Sequence, residues 1–427
     1  MEYQSMTKKE LEALHSELQA KYDGFKALGL KLNMARGKPG MDQLELSMPM
    51  LDVLSSSASL TASTGDDCRN YGMADGLPEM QALFGGMLGV PAQNVIVGGN
   101  SSLNMMFDTV SCAMTHGFGG CTPWSRQKSV KFLCPAPGYD RHFAVTQYFG
   151  IEMITVPMTS EGPDMDMVEK LVSEDETIKG IWCTPKYSNP TGVTFSDETV
   201  RRFASLKPAA KDFRIFWDNA YCVHDLTDTP DTLLNLYEEC VARGTEELPI
   251  LFASTSKITF PGAGVAAMAA GPQNIQVLRE HFSFQTIGPD KLNQLRHIAF
   301  LRDQEGVAEQ MLRHRRILEP KFQVVLEKLE QQLGGKGVAS WTHPNGGYFV
   351  SVDVMDGCAK KVVSLCAQAG VTLTGAGATF PYGKDPRDRN IRVAPTYPPV
   401  AELEKAMDIF CVSACLAACE KLLETQE

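Results

Sequence analysis

From about residue 94 short apolar runs alternate with amphipathic stretches of helical period, and this alternation restricts the fold more than any other feature of the chain. "NVIVGG" precedes "SSLNMMFDTVSCAM", "VKFLCP" precedes "YDRHFAVTQYF", and "EMITVP" precedes "MDMVEKLVSE". The series continues with "IKGIWCTP" before "SDETVRRFASL", "FRIFWDNAY" before "TLLNLYEECVARG" and "PILFASTSK" before "GVAAMAAG". Parallel neighbours cannot be joined by a tight hairpin and need a crossover, usually a helix, so such a pattern predicts an α/β fold with a mostly parallel sheet covered on both faces. Ligands of these sheets gather beyond the carboxyl ends of the strands.

The flanks read differently. "TKKELEALHSELQAKY" opens as a helix with Thr7 and Glu10 in capping-box spacing. After a long charged helix around "VAEQMLRHRRILEPKFQVVLEKLEQQL", the tail predicts short strands at "ASWTHPNGGYFVSVDV", "VTLTGAG" and "NIRVAP" with helices between and after them, a smaller α+β domain. At 427 residues the chain is too long for one small core. We expect an N-terminal segment over residues 1–50 that packs on the small domain and the site, a large domain over 51–320, and a C-terminal small domain over 321–427.

A net charge of −11 argues against nucleic-acid or anionic-membrane partners, since both need a basic field. No stretch approaches the roughly 20 apolar residues of a membrane span, and the N-terminus has no apolar signal core. The twelve cysteines lack any C-x-x-C pair, which fits reduced thiols and a cytoplasmic location. Cys411, Cys415 and Cys419 share one helix face and read as small buried hydrophobes with no metal site.

Candidate chemistry falls in the turns after the apolar runs. Lys257, in "STSKITFPGAG", ends such a run among hydroxyls and glycines, and a desolvated lysine has a lowered pKa that makes it a nucleophile and a proton carrier. Asn100, Ser101 and Ser102 open a helix, where free N–H groups and the helix dipole can cradle a phosphate; the same residues are also ordinary helix caps. Asp218 ends a strongly apolar strand and needs a cationic partner that the neighbouring sequence does not supply. "NPTG", Asn189 to Gly192, follows another strand as a turn. A phosphorylated pyridine aldehyde would satisfy all of these groups at once, its ring nitrogen on Asp218, its phenolic oxygen on Asn189 and Tyr221, and its aldehyde condensed with Lys257.

Taken in order, "NSS", "Y", "NPTG", "DNAY", "STSK" and "IRVAP" resemble the class I aminotransferases of fold type I that depend on pyridoxal 5′-phosphate, over nearly the whole chain. The segments "ARGKPGMDQLELS" and "IGPDKLNQLRH" resemble a bacterial aspartate aminotransferase subgroup that differs from the animal and enteric enzymes. The resemblance implies a seven-stranded, mostly parallel sheet, a homodimer with shared active sites, and L-aspartate or L-glutamate as donor to a 2-oxo acid such as 2-oxoglutarate. It implies that Lys257 carries the cofactor and shuttles the proton, that Asp218 keeps the ring nitrogen protonated, and that Tyr139 stacks on the ring. Phosphate contacts are implied for Asn100, Ser101, Ser102, Ser254 and Ser256, with Tyr71 donated by the neighbouring subunit. Arg392 is implied to grip the α-carboxylate, beside Asn189 and the backbone of Gly37. A second cation for the distal carboxylate is sought among Arg36, Lys38 and Lys291. Many members carry a phosphate-binding arginine eight residues after the lysine, where this chain has Val265; either Lys291 replaces it or hydroxyls and backbone suffice. A β-lyase, a decarboxylase, an aminotransferase for another amino acid and a non-catalytic regulator of the same fold remain alternatives.

Overall fold

The computed structural model describes residues 2–426. Thirteen strands are found among the described residues: β1 (Leu32–Asn33), β2 (Val95–Val97), β3 (Lys131–Ala136), β4 (Glu152–Thr159), β5 (Gly162–Pro163), β6 (Ile178–Cys183), β7 (Arg214–Asp218), β8 (Pro249–Ser254), β9 (Ala266–Ala270), β10 (Ala339–Trp341), β11 (Val350–Val354), β12 (Val371–Thr372) and β13 (Asn390–Val393). The main sheet runs β2-β9-β8-β7-β6-β3-β4-β5. Pairs β3–β4, β3–β6, β6–β7 and β7–β8 are parallel, while β9 is antiparallel to both β2 and β8. The sheet therefore has eight strands against the seven implied, the extra one being the two-residue β5 antiparallel to the edge of β4.

The structure differs from the sequence pattern directly after β8. "GVAAMAAG", read as the amphipathic stretch after β8, is strand β9. Alanine and methionine favour helix, but all five residues of β9 are buried between two strands, and burial on both faces of a sheet overrides that weak local preference. The remaining runs form strands where their apolar patterns place them, and β6 and β7 are buried along their whole length.

Several crossover helices begin where their sequence provides a cap. Asp164 accepts from Met167 N at 3.1 Å and Ser196 from Thr199 N at 3.2 Å, occupying backbone donors that the first helical turn leaves free. At the N-terminus Thr7 and Glu10 form the reciprocal capping box that opens the helix Lys8–Ala27. Two apolar cores cover the two faces of the main sheet, one including Leu133, Ile181 and Trp217, the other Phe132, Phe216 and Phe252. A third joins Leu11, Leu18 and Tyr22 of the N-terminal helix to β11, β13 and the C-terminal helix Val400–Thr425. Cys411, Cys415 and Cys419 are buried in it. The helix Gln304–Leu333 runs through residue 320 without a break, so the two large cores share one continuous element.

β10, β11 and β13 form a separate antiparallel sheet, and β1 pairs in parallel with β12, which ties the segment after the first helix to the C-terminal part. Because β2, β3, β6, β7 and β8 run in one direction, the turns that follow them lie at one edge of the sheet. Segment 35–38 and β13 approach that same edge.

Candidate active site

At this edge a cavity of about 540 Å³ opens between the main sheet and the C-terminal part. Its wall includes Lys257, Asp218, Tyr139 and Arg392. Lys257 follows β8 in a tight turn, where Thr255 O accepts from both Ile258 N and Thr259 N at 2.9 Å. Buried Thr255 and Thr259 approach His297 Nε2 at 3.2 and 2.9 Å. His297 Nδ1 donates to Asn293 O at 2.8 Å, so Nε2 is left as the acceptor for these hydroxyls. On the other side His314 Nε2 donates to Ile258 O at 2.9 Å, and Gln43 Nε2 donates to His314 Nδ1 at 3.1 Å. The backbone around Lys257 is thus clamped by a buried polar network reaching the N-terminal segment. Burial pushes the Lys257 ammonium below the usual amine range, against the opposing pull of the Asp218 carboxylate. Its Nζ lies 5.0 Å from the centroid of the Tyr221 ring and 5.6 Å from that of Tyr348.

Asp218 is the last residue of β7 and only 3% exposed. His142 Nε2 donates to Asp218 Oδ2 at 2.9 Å, whereas Oδ1 is buried with no partner among the described residues. The His142 ring stacks on Trp182 with centroids 4.5 Å apart, which fixes its plane. Tyr139 packs edge-on against His142 at 4.9 Å, and burial pushes its hydroxyl pKa up to about 12. Burial also holds Tyr221 well above the ordinary phenol range, so its hydroxyl remains a proton donor at neutral pH.

Ser101 and Ser102 line the cavity at the start of the helix Ser102–Thr115, and the Ser101 side chain makes no capping bond there. Ser254 and Ser256 line it as well, with their hydroxyls 3.0 Å apart. Asn100 is not on the wall; its amide donates to Gly262 O at 3.3 Å. Val265 is buried, its N–H bound to Thr255 Oγ1 at 2.9 Å. Lys291 is not on the wall either: its ammonium donates to Gly72 O at 3.0 Å. Tyr71, next to Gly72, is 81% exposed and is not part of this cavity's lining.

Arg392 lies on β13 with a side chain 7% exposed. Its Nη1 donates to Asn189 Oδ1 at 3.1 Å and to Asp140 Oδ1 at 2.9 Å, and Nη2 donates to Thr374 Oγ1 at 3.3 Å. Thr374 in turn donates to Ala35 O, joining the arginine to segment 35–38. The guanidinium lies over the Phe349 ring, 4.8 Å from its centroid. Glycine at 37 permits this packing, because a Cβ there would come within 2.3 Å of the Phe349 ring. Arg36 and Lys38 line the cavity, Lys38 with its ammonium 4.0 Å from the Tyr397 ring centroid.

Sequence reasoning missed His142, Asp140, Arg141, Thr374 and Phe349, all of which touch or line the site. The first three stand in "YDRH", directly after Tyr139 in the first turn of the helix Asp140–Tyr148, so the turn after β3 carried the signal. Arg141 is an exposed cation on the wall, without a carboxylate partner among the described residues.

Comparison with known proteins fits this arrangement. Residues 6–426 match the family described as aspartate amino-transferase. A Mycolicibacterium smegmatis protein with only a general aminotransferase name is 49% identical over 425 residues, covering 99% of each chain. An aspartate aminotransferase of Corynebacterium glutamicum is 44% identical over 407 residues, covering 95% of this chain and 94% of the relative. The crystal structure of an aspartate transaminase from the same organism superposes with a TM-score of 0.96 at 42% identity and covers 99% of both chains.

Proposed function

The chain belongs to the aspartate amino-transferase family and is an aminotransferase, and we propose that it moves the amino group of L-aspartate or L-glutamate to a 2-oxo acid such as 2-oxoglutarate, using pyridoxal 5′-phosphate. One observation carries this reading: a desolvated lysine and a buried carboxylate with an unpartnered oxygen line the same cavity as a buried arginine. The residues present fit the cofactor. The free oxygen of Asp218 needs a charged donor, and a pyridinium N–H is one; the serines and open helix start suit a phosphate. When bound, the cofactor supplies an aldehyde that takes up the amino group and a ring that accepts the electron pair released at Cα.

The chain's own groups do the rest. Lys257 Nζ, whose ammonium form desolvation disfavours, would hold the cofactor's aldehyde between turnovers and serve as the group that takes and returns the proton at Cα. Asp218, oriented by His142, would hold a proton on the ring nitrogen, and Tyr139 would cover the ring. Asn189 and Tyr221 hold the phenolic oxygen. Ser101, Ser102, Ser254 and Ser256 hold the phosphate, with Asn100 shaping their loop. Arg392 binds the α-carboxylate, because its planar fork matches a carboxylate bidentately. Arg141, Arg36 and Lys38 are cations on the wall for the distal carboxylate, and Arg141 joins the candidates because of its place in the cavity. Buried Lys291 bonds to Gly72 O beside the exposed Tyr71, an arrangement that supports the Tyr71 segment serving a neighbouring subunit's phosphate in a homodimer. The "RGKP" and "IGPDK" segments support a reading of the chain as one of the bacterial subgroup. Among the described residues no helix is long and apolar enough to cross a membrane, which accords with a cytoplasmic place for the reaction.

The test is the visible spectrum and the single-turnover reaction of cofactor-loaded protein. Wild type is expected to absorb in the visible and to convert aspartate to oxaloacetate in one equivalent. Lys257→Ala should lose the lysine-bound absorbance and turnover while keeping its fold by circular dichroism. Retained turnover in that variant would refute the assignment.

A further inference from the structure

Arg392 is the group that this reading gives to the substrate's α-carboxylate, yet its Nη1 already holds a carboxylate of the chain, Asp140 Oδ1 at 2.9 Å. The two side chains are unequally placed: Arg392 is 7% exposed and Asp140 34%. The contact is also one-handed. Asp140 meets a single nitrogen, Nη2 has only the 3.3 Å contact to Thr374, and buried Nε has no partner among the described residues. Nε and Nη2 form the side fork of a guanidinium, the edge that takes a carboxylate with two parallel bonds.

We propose that Asp140 is a resident counterion of Arg392, which the substrate's α-carboxylate displaces on binding and which returns when product leaves. The inference rests on the assignment of Arg392 to the α-carboxylate. Its physical basis is that a buried guanidinium without a counter-charge is costly, so a site that must empty on every cycle gains from a carboxylate that can stand in. Two carboxylates on one guanidinium repel each other, so the incoming one drives the resident off. Asp140 is the group that can move, because it is the more exposed of the pair and is the first residue of the helix Asp140–Tyr148. There the free N–H groups and the positive helix end hold a released carboxylate at little cost. Arg392 keeps one carboxylate throughout, and the exchange leaves the charge on the cavity wall unchanged.

The resident competitor weakens every ligand that uses Arg392 to the same degree, since every amino-acid donor has an α-carboxylate. Two variants of the cofactor-loaded protein test this: Asp140→Asn, which keeps the shape, and Asp140→Ser, which keeps a hydrogen-bonding group in the first helical turn. Calorimetric titration with succinate, an unreactive dicarboxylate, should show both binding roughly three- to tenfold tighter than wild type, the range expected for removing a partly exposed competing charge. KM for aspartate and for alanine should fall by the same factor. Unchanged or weaker succinate binding would overturn the proposal, because Asp140 would then orient Arg392 and not compete for it. A gain confined to dicarboxylates would also overturn it, placing Asp140 opposite the distal carboxylate. Arg392→Gln separates the two levels of the argument. Loss of succinate binding there, with no gain in the Asp140 variants, rejects the counterion alone, whereas undiminished binding removes Arg392 from the carboxylate site and the proposal with it.

Discussion

Replacing Asp218 with asparagine should have opposite effects on the cofactor-free protein and on the reaction. The side chain is 3% exposed, so solvent screening is slight, and one of its oxygens is without a partner. Asparagine keeps an oxygen for the 2.9 Å bond from His142 Nε2 but removes the charge. In the cofactor-free protein this relieves a buried, half-compensated carboxylate, so Asp218→Asn should be as stable as wild type or more so. With cofactor bound, the same change removes one partner of a buried charge pair, a loss of about 3 to 5 kcal/mol. At about 1.36 kcal/mol per decade the rate of the first half-reaction should fall by roughly 10² to 10⁴. The assay is stopped-flow absorbance of the loaded variant mixed with aspartate, alongside urea unfolding of both proteins stripped of cofactor. A half-reaction within fivefold of wild type, or a clear loss of stability in the stripped variant, would refute the reasoning.

Three other outcomes follow from the same geometry. The lowered pKa of Lys257 means that the folded, cofactor-free chain binds fewer protons there than the unfolded chain does between that pKa and about 10.4. Lys257→Met should therefore be more stable than wild type at pH 7, and the advantage should shrink as pH rises through that window, as read by urea unfolding; an advantage independent of pH would contradict the cause given. His314→Leu strips one donor from Ile258 O and the acceptor from Gln43, which should cost about 2 to 4 kcal/mol of unfolding free energy, and a loss under 1 kcal/mol would show that the clamp behind Lys257 is idle. If Arg141 meets the distal carboxylate, Arg141→Gln should lower kcat/KM for aspartate by about 2 to 4 kcal/mol and spare alanine, whereas equal losses would assign it elsewhere.

Much of this site is visible in the sequence because its groups stand where strands end. Lys257, Asp218, Asn189 and Tyr139 each follow an apolar run, and in a sheet of parallel strands those ends converge without further information. The alternation also predicts the α/β class, but it fails at β9, whose alanines carry no strand preference and are committed only by their neighbours on either side. Residues that act through pairing at long range were hidden. Asp140 and Arg392 are separated by 252 positions and Gln43 and His314 by 271, so nothing local marks either pair. The resemblance sets the backbone of Gly37 beside the substrate, and in the structure the ring of Phe349 fills the space that a Cβ there would need.

On the proposed function, a donor with two carboxylates is selected by a cavity whose wall carries Arg392 and the cations Arg36, Lys38 and Arg141. A distal carboxylate finds a partner there, whereas an apolar side chain in its place gains nothing from those exposed cations. The most direct measurement is the half-reaction rate of the cofactor-loaded protein with aspartate, glutamate, alanine, leucine and phenylalanine under second-order conditions. Aspartate and glutamate should exceed the other three by roughly 10² or more, the equivalent of about 3 kcal/mol of selective binding. Rates for leucine or phenylalanine that equal or surpass those for aspartate would contradict the claim.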